Sequence, residues 1–351
     1  MASPGPAFAL AFLLCSATAS AATLSGRVES MEEGAMEGVL VSAHLDGTNG
    51  TVTVVSDGQG HYAFPDNRLS GAHATLSIRA VGYDLAGPAA VKLPGTVDLQ
   101  LRKTTDLPSQ LTNAEWMQSL PIATTDKKFL QNCTNCHTLH QPLFSTHTVA
   151  EFEAVQQRMA GYSAGSSILL PQPLVADRVA NQGEIVLEKR RNAIHAQSEV
   201  LASVNLSHSE TWTFPLKTFP RPTGRATRVV ITEYDLPERT RMPHDVIVAA
   251  DGSVWYDAFG EQILGRLDPR TGQTVEYVMP TLKPDSPKGS LALRTDPDGN
   301  LWLGMSYQAG VVRFDPRTET FQTFPVPPGL NKDFTQTTEV EPAHMTVDGK
   351  V

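Results

Sequence analysis

Two thiols and an imidazole stand together in Cys133-Thr-Asn-Cys136-His137, and this C-x-x-C-H spacing is suited to covalent attachment of a porphyrin. The two thiols reach the two vinyl groups on one edge of the ring as thioethers, while the next residue turns its imidazole toward the iron as proximal axial ligand. One covalent c-type haem on Cys133, Cys136 and His137 is the leading expectation. Two other chemistries stay open. A structural zinc needs four ligands, yet the only further cysteine is Cys15. A thioredoxin-like redox pair needs βαβ surroundings, which the neighbouring residues do not offer.

The sixth iron ligand is less sharply marked. Met159, in Gln157-Arg-Met-Ala-Gly-Tyr162, is the first candidate, although a methionine on an apolar stripe also serves as core filler. His140, His147 and His195 are possible second histidines, and Met242 is a remoter sulfur. A methionine ligand raises the reduction potential relative to two histidines, and an open position favours ligand chemistry over electron transfer.

These groups need helices to position them. Thr125–Asn132 reads as the short helix that carries such a motif in class I cytochromes c, which the segment resembles. Thr112 with Glu115, and Thr148 with Glu151, each form the Thr-x-x-Glu capping box of a helix start. After Thr148, the residues Val149, Phe152, Val155 and Met159 recur at helical spacing. A further long helix is expected over about 176–204.

Upstream, residues 7–15 form an apolar run followed by small residues with cleavage sites after Ala19 or Ala21. This reads as a secretory signal over 1–21, too short to span a membrane. The first basic residue is only Arg27, so the signal lacks a positive leader. Cleavage would remove Cys15 and leave the motif with every remaining cysteine. A periplasmic or secreted location follows, which suits haem attachment.

Residues 22–105 alternate apolar and polar positions between glycine turns. Leu76, Ile78 and Ala80 fall on one face, as do Val97, Leu99 and Leu101, with Asp46-Gly47, Asn49-Gly50 and Asp57-Gly58 as turns. The runs Leu24–Val28, Gly38–Ala43, Asp57–Phe64 and Ala80–Tyr83 resemble the carboxypeptidase regulatory-like domain. That resemblance implies an Ig-like sandwich with a structural or adhesive role. A helical haem module then spans 106–212, and a linker containing Pro215, Pro220 and Pro222 spans 213–228.

Strands return over 229–351 with an internal repeat. Asp251-Gly-Ser-Val-Trp255 recurs as Asp298-Gly-Asn-Leu-Trp302, and Gly265–Thr271 recurs as Val312–Thr318, both 47 residues on. One Asp-Gly turn and one buried tryptophan per unit suit a four-stranded propeller blade. A third unit opens at His344–Val351, so the chain holds about two blades and is expected to be truncated at its C-terminus. Val229–Tyr234 is expected to be an outer strand completing a blade. The repeat, with Pro243-His-Asp-Val-Ile247 before it, resembles streptogramin B lyase (virginiamycin B lyase). The resemblance implies a seven-bladed propeller that acts by elimination with a histidine base, an acidic residue and magnesium. His244 is the matching histidine and a weak catalytic candidate. The acid's place is taken by Ala258 and Met305.

The expected architecture is thus multidomain: all-β Ig-like sandwich, α-helical cytochrome c-like module, partial β-propeller. This order resembles multidomain proteins of bacteria. The formal charge of −9, from 28 basic and 37 acidic residues without a basic cluster, excludes nucleic acid as a partner. The leading function is an extracytoplasmic haem protein, transferring electrons or serving as a haem-linked oxidoreductase, with a redox protein or small-molecule substrate as partner. The alternatives are a C–O lyase on the propeller, with magnesium and an accessory haem module, and a peptide- or carbohydrate-binding protein. Whether the chain is an enzyme stays open.

Overall fold

The computed structural model describes residues 23–87, 89–174, 184–332, 335–337 and 340, with 184–187 described for their backbone only. The expected signal segment, the opening of the third repeat and the first part of the helix expected over 176–204 lie outside these residues. The described chain is mostly β, in several sheets with few helices. It divides into two compact units: one holds the residues up to Gly47, Thr51–Lys103 and Arg221–Glu233, the other Thr48–Gly50, Thr104–Pro220 and Tyr234 onward. Among the described residues no helix is long and apolar enough to cross a membrane.

The first unit contains β1 (Leu24–Ser30), β2 (Gly34–Ala35), β3 (Leu40–Leu45), β4 (Gly50–Val55), β5 (His61–Phe64), β6 (His73–Arg79), β7 (Tyr83–Leu85), β8 (Ala90–Lys92), β9 (Gly95–Thr96) and β10 (Leu99–Lys103). One sheet runs β2-β1-β10-β7, with β5 and β9 also paired to β1. Burial alternates along β3 and β5, as the sequence pattern requires of strands with one face inward. Leu24, Val28, Val41, Ala43, Phe64, Leu76, Leu99 and Leu101 from both sheets meet in one core, which makes a β-sandwich.

The second sheet runs β11-β4-β3-β6-β8, where β11 is Val230–Tyr234. This corrects the expectation of an outer blade strand, because the segment lies along β4 instead. Its approach is fixed by charge. The Arg221 guanidinium donates to the Glu33 carboxylate, and the Gly224 amide donates to Glu37 Oε1 at 2.7 Å. Tyr83 donates a second hydrogen bond to Glu33, and these two donors hold the Glu33 carboxyl below its ordinary range. The proline-rich stretch is therefore anchored: Lys217 and Phe219 also donate their amides to Ser119 Oγ and Glu115 Oε1.

The second unit begins with helices α1 (Leu107–Gln110), α2 (Asn113–Ser119), α3 (Lys128–Cys133), α4 (His140–Leu143), α5 (Val149–Met159) and α6 (Glu184–Val204). Both capping boxes form, on Thr112 with Glu115 and on Thr148 with Glu151. Trp116, Phe144 and Trp212 pack edge-on and tilted against one another. Helix α5 lies along α6, where Gln156 Nε2 donates to Ser198 Oγ at 2.7 Å. Removing the α5 cap by Thr148→Ala should cost about 1 kcal/mol. Amide exchange over Val149–Phe152 should then quicken roughly fivefold, and Thr148→Ser should largely restore it.

Two antiparallel four-stranded meanders follow: β12 (Pro243–Val248), β13 (Val254–Ala258), β14 (Ile263–Leu267) and β15 (Thr274–Val278), then β16 (Leu291–Thr295), β17 (Leu301–Gly304), β18 (Gly310–Asp315) and β19 (Thr320–Pro325). The 47-residue repeat is thus two sheets of one strand order. Trp255, Leu264, Leu293, Leu301, Leu303, Val312 and Phe314 fill the core between them. Trp255 is buried as expected, while Trp302 is half-buried, stacked on Phe324, with its Nε1 donating to Asp296 at 2.9 Å. Gly265 serves packing: a Cβ there would lie 2.0 Å from Tyr256 Cζ. The bare backbone lets the Tyr256 ring cross β14 and donate to Glu276 at 2.9 Å.

Candidate functional site

Helix α3 ends at Cys133, and the motif turns tightly from that end. The Cys133 carbonyl accepts from the amides of both Cys136 and His137, at 3.4 and 3.3 Å. The turn brings Cys133, Cys136 and His137 to one cavity of about 500 Å³, and Met159, at the end of α5, lines the same cavity. This volume falls in the range of small-molecule and cofactor sites. Phe152, Val155 and Leu201 supply apolar wall.

The thiols are free rather than bonded to each other. Burial pushes the Cys133 thiol up to about 11 and raises that of Cys136 as well. Both therefore stay protonated near neutral pH, which is the opposite of the lowered thiol expected in a redox-active pair. His137 Nδ1 lies 2.9 Å from the Thr138 carbonyl oxygen. A carbonyl only accepts, so this contact puts the ring proton on Nδ1 and leaves the Nε2 lone pair free for a metal.

The alternative axial ligands separate by position. His147 lines the cavity, with its ring edge-on to Phe152 at 5.3 Å. His140 instead stacks on Phe144 at 3.6 Å between centroids. His195 is exposed and hydrogen-bonds Glu153, which raises its ordinary value. Met242 lies beside Gly260. None of these three lines the cavity.

A loop on the cavity rim meets the first meander. Ser163, Ala164 and Ser166 line the cavity, and between them Gly165 packs so closely on Gly260 that a Cβ on Gly260 would lie 2.2 Å from the Gly165 oxygen. Gln172 locks the approach, donating to the Gly260 carbonyl at 2.8 Å and accepting from the Lys288 amide at 2.7 Å. Next to Gly260, the Phe259 ring lies 5.3 Å from that of His244.

His244 is half-exposed near the start of β12, with Nδ1 3.5 Å from Asp245 Oδ1. His244, Asp245 and Asp257 offer ligand atoms within 4.8 Å of one another, the only such group of three among the described residues. Asp257 is fully buried, and burial raises its carboxyl to about 7. Sequence reasoning singled out His244 alone. Ala258 and Met305, at the positions where the lyase resemblance implies an acid, are both fully buried.

No family model matches the chain, and no curated protein matches it. Among solved structures, selenomethionine-substituted virginiamycin B lyase from Staphylococcus aureus is similar at 21% identity and a TM-score of 0.25, over 30% of this chain and 32% of that one. A streptogramin B lyase structure gives 22% identity and a TM-score of 0.25, over 28% and 31%. The extracellular domain of a one-component system from B. thetaiotaomicron gives 26% and 0.21, over 24% and 11%. The matched part spans about a third or less of each of these structures.

Proposed function

We propose that the chain is an extracytoplasmic c-type haem protein, with Cys133 and Cys136 as thioether anchors, His137 as proximal ligand and Met159 as sixth ligand. The observation that carries this is the single cavity lined by all four residues. The donor chemistry fits, since two un-ionised thiols and an imidazole with Nε2 free stand at one wall. When bound, the haem would supply one-electron redox chemistry. The chain's own part is to fix the His137 tautomer through Thr138 and to bury the site against α5 and α6. The packed route from the rim loop through Gly260 and Phe259 to His244 favours a haem-linked oxidoreductase whose partner or small-molecule substrate sits on the β-meanders. A lyase on the β-meanders would have to take its acid from a position other than Ala258 or Met305.

The test is a pyridine haemochrome spectrum of the chain expressed with haem-maturation machinery, recorded after denaturation and organic extraction. Retained haem supports the reading, and a colourless protein overturns it. For the sixth ligand, Met159→Leu should lower the reduction potential and remove the sulfur–iron band, because a thioether ligand raises the potential. An unchanged spectrum and potential would move the assignment away from Met159, with His147 the next ligand to test.

A further inference from the structure

Adjacent residues in a strand normally point to opposite faces, so His244 and Asp245 should not share a site. The pairing of β12 with β13 slips between Pro243 and Val246: Pro243 faces Ala258, while Val246 already faces Tyr256. Two residues, His244 and Asp245, therefore oppose the single Asp257. Such a bulge re-aims side chains, and here the three offer donor atoms within 4.8 Å of one another.

The hydrogen bonds account for part of this cluster only. Asp257 Oδ1 accepts from the Asp245 amide at 2.7 Å. Asp245 Oδ2 accepts from the Leu293 amide of β16 at 3.1 Å, which seats the cluster against the first strand of the second meander. Asp257 Oδ2 is buried with no partner, although the residue is fully buried. A buried carboxylate oxygen left unpaired is costly, and a cation removes that cost. His244 keeps the other side of the cluster open to solvent.

We propose that this bulge binds a divalent transition-metal ion of the manganese–zinc class, with His244, Asp245 and Asp257 as its protein ligands. One imidazole nitrogen and two carboxylate oxygens balance the charge of a divalent ion and leave a position for solvent or a substrate oxygen. The nitrogen donor selects against magnesium and calcium, which prefer all-oxygen sets. The site is independent of the haem proposal.

Chelator-treated full-length chain is titrated with Mn²⁺, and free Mn²⁺ is followed by electron paramagnetic resonance. One Mn²⁺ per chain is expected, displaced by Zn²⁺ but not by equal Mg²⁺. His244→Gln and Asp257→Asn should each weaken binding at least about tenfold, whereas Cys133→Ser with Cys136→Ser should leave it unchanged. The proposal is overturned if wild type binds no Mn²⁺ or Zn²⁺, if both variants bind as wild type does, or if Mg²⁺ displaces Mn²⁺ equally well. Should Asp257→Asn fail to fold, the half-exposed His244→Gln decides the outcome alone.

Discussion

Cys133→Ser combined with Cys136→Ser is expected to abolish haem retention on a denaturing gel, from about one haem per chain to none. The effect is all-or-none because thioethers survive unfolding, whereas an axial ligand contact does not. Each single variant should keep one thioether and shift the haemochrome band. Folding should be little disturbed. Neither thiol holds a disulfide, and among the described residues the thiol hydrogen bond is a weak one from Cys133 Sγ to the Phe129 carbonyl at 3.7 Å. Circular dichroism should therefore match wild type while colour is lost. Haem that survives denaturation in the double variant would show attachment elsewhere. Loss of bound zinc in place of haem would turn the motif toward the metal-site alternative.

The legible parts of the fold were those written in local chemistry. Capping boxes at Thr112 and Thr148 announce helix starts because their hydrogen bonds close within four residues. The 47-residue repeat announces two equivalent meanders because each carries its own Asp-Gly turn. Long-range choices were not legible. Val230–Tyr234 is rich in β-branched residues, and nothing in its five residues says which sheet it joins. That choice is made by Arg221 on Glu33 and Gly224 on Glu37, nearly 190 positions apart. The cluster at His244 was half legible for a related reason. His244 stands out by type, but Asp245 and Asp257 join it only through a register slip that no periodicity reveals. Cys133, Cys136 and His137 share one cavity through a local turn, which their closeness in sequence already announces.

Arg241→Met should cost the second unit about 3–5 kcal/mol, the usual penalty for leaving buried charge unpaired. Arg241, two residues before β12, acts as a clamp. Its Nε and one terminal nitrogen donate to both Glu276 oxygens at 2.8 Å, and the other terminal nitrogen donates to Glu261 at 2.6 Å. All three side chains are mostly buried, and the Tyr256 hydroxyl adds a bond to Glu276. Burial pushes the Glu276 carboxyl up, but the bonds from Arg241 and Tyr256 outweigh it and hold it below its ordinary value. In wild type this carboxylate therefore stabilises the fold above its unfolded value, and the gain is lost as pH falls. Without Arg241 the balance reverses: burial dominates, the folded value rises, and stability falls as pH increases through the carboxylate range. The deficit of Arg241→Met should accordingly be largest near pH 7.5 and shrink near pH 4.5, in urea titrations at both. Arg241→Lys should recover only part, because an ammonium cannot make the two-pronged bond to Glu276. Adding Glu261→Gln and Glu276→Gln to Arg241→Met should recover stability at neutral pH, since the penalty lies in the stranded charges. If the deficit is independent of pH and the added glutamines recover nothing, the clamp acts through packing of the arginine stem.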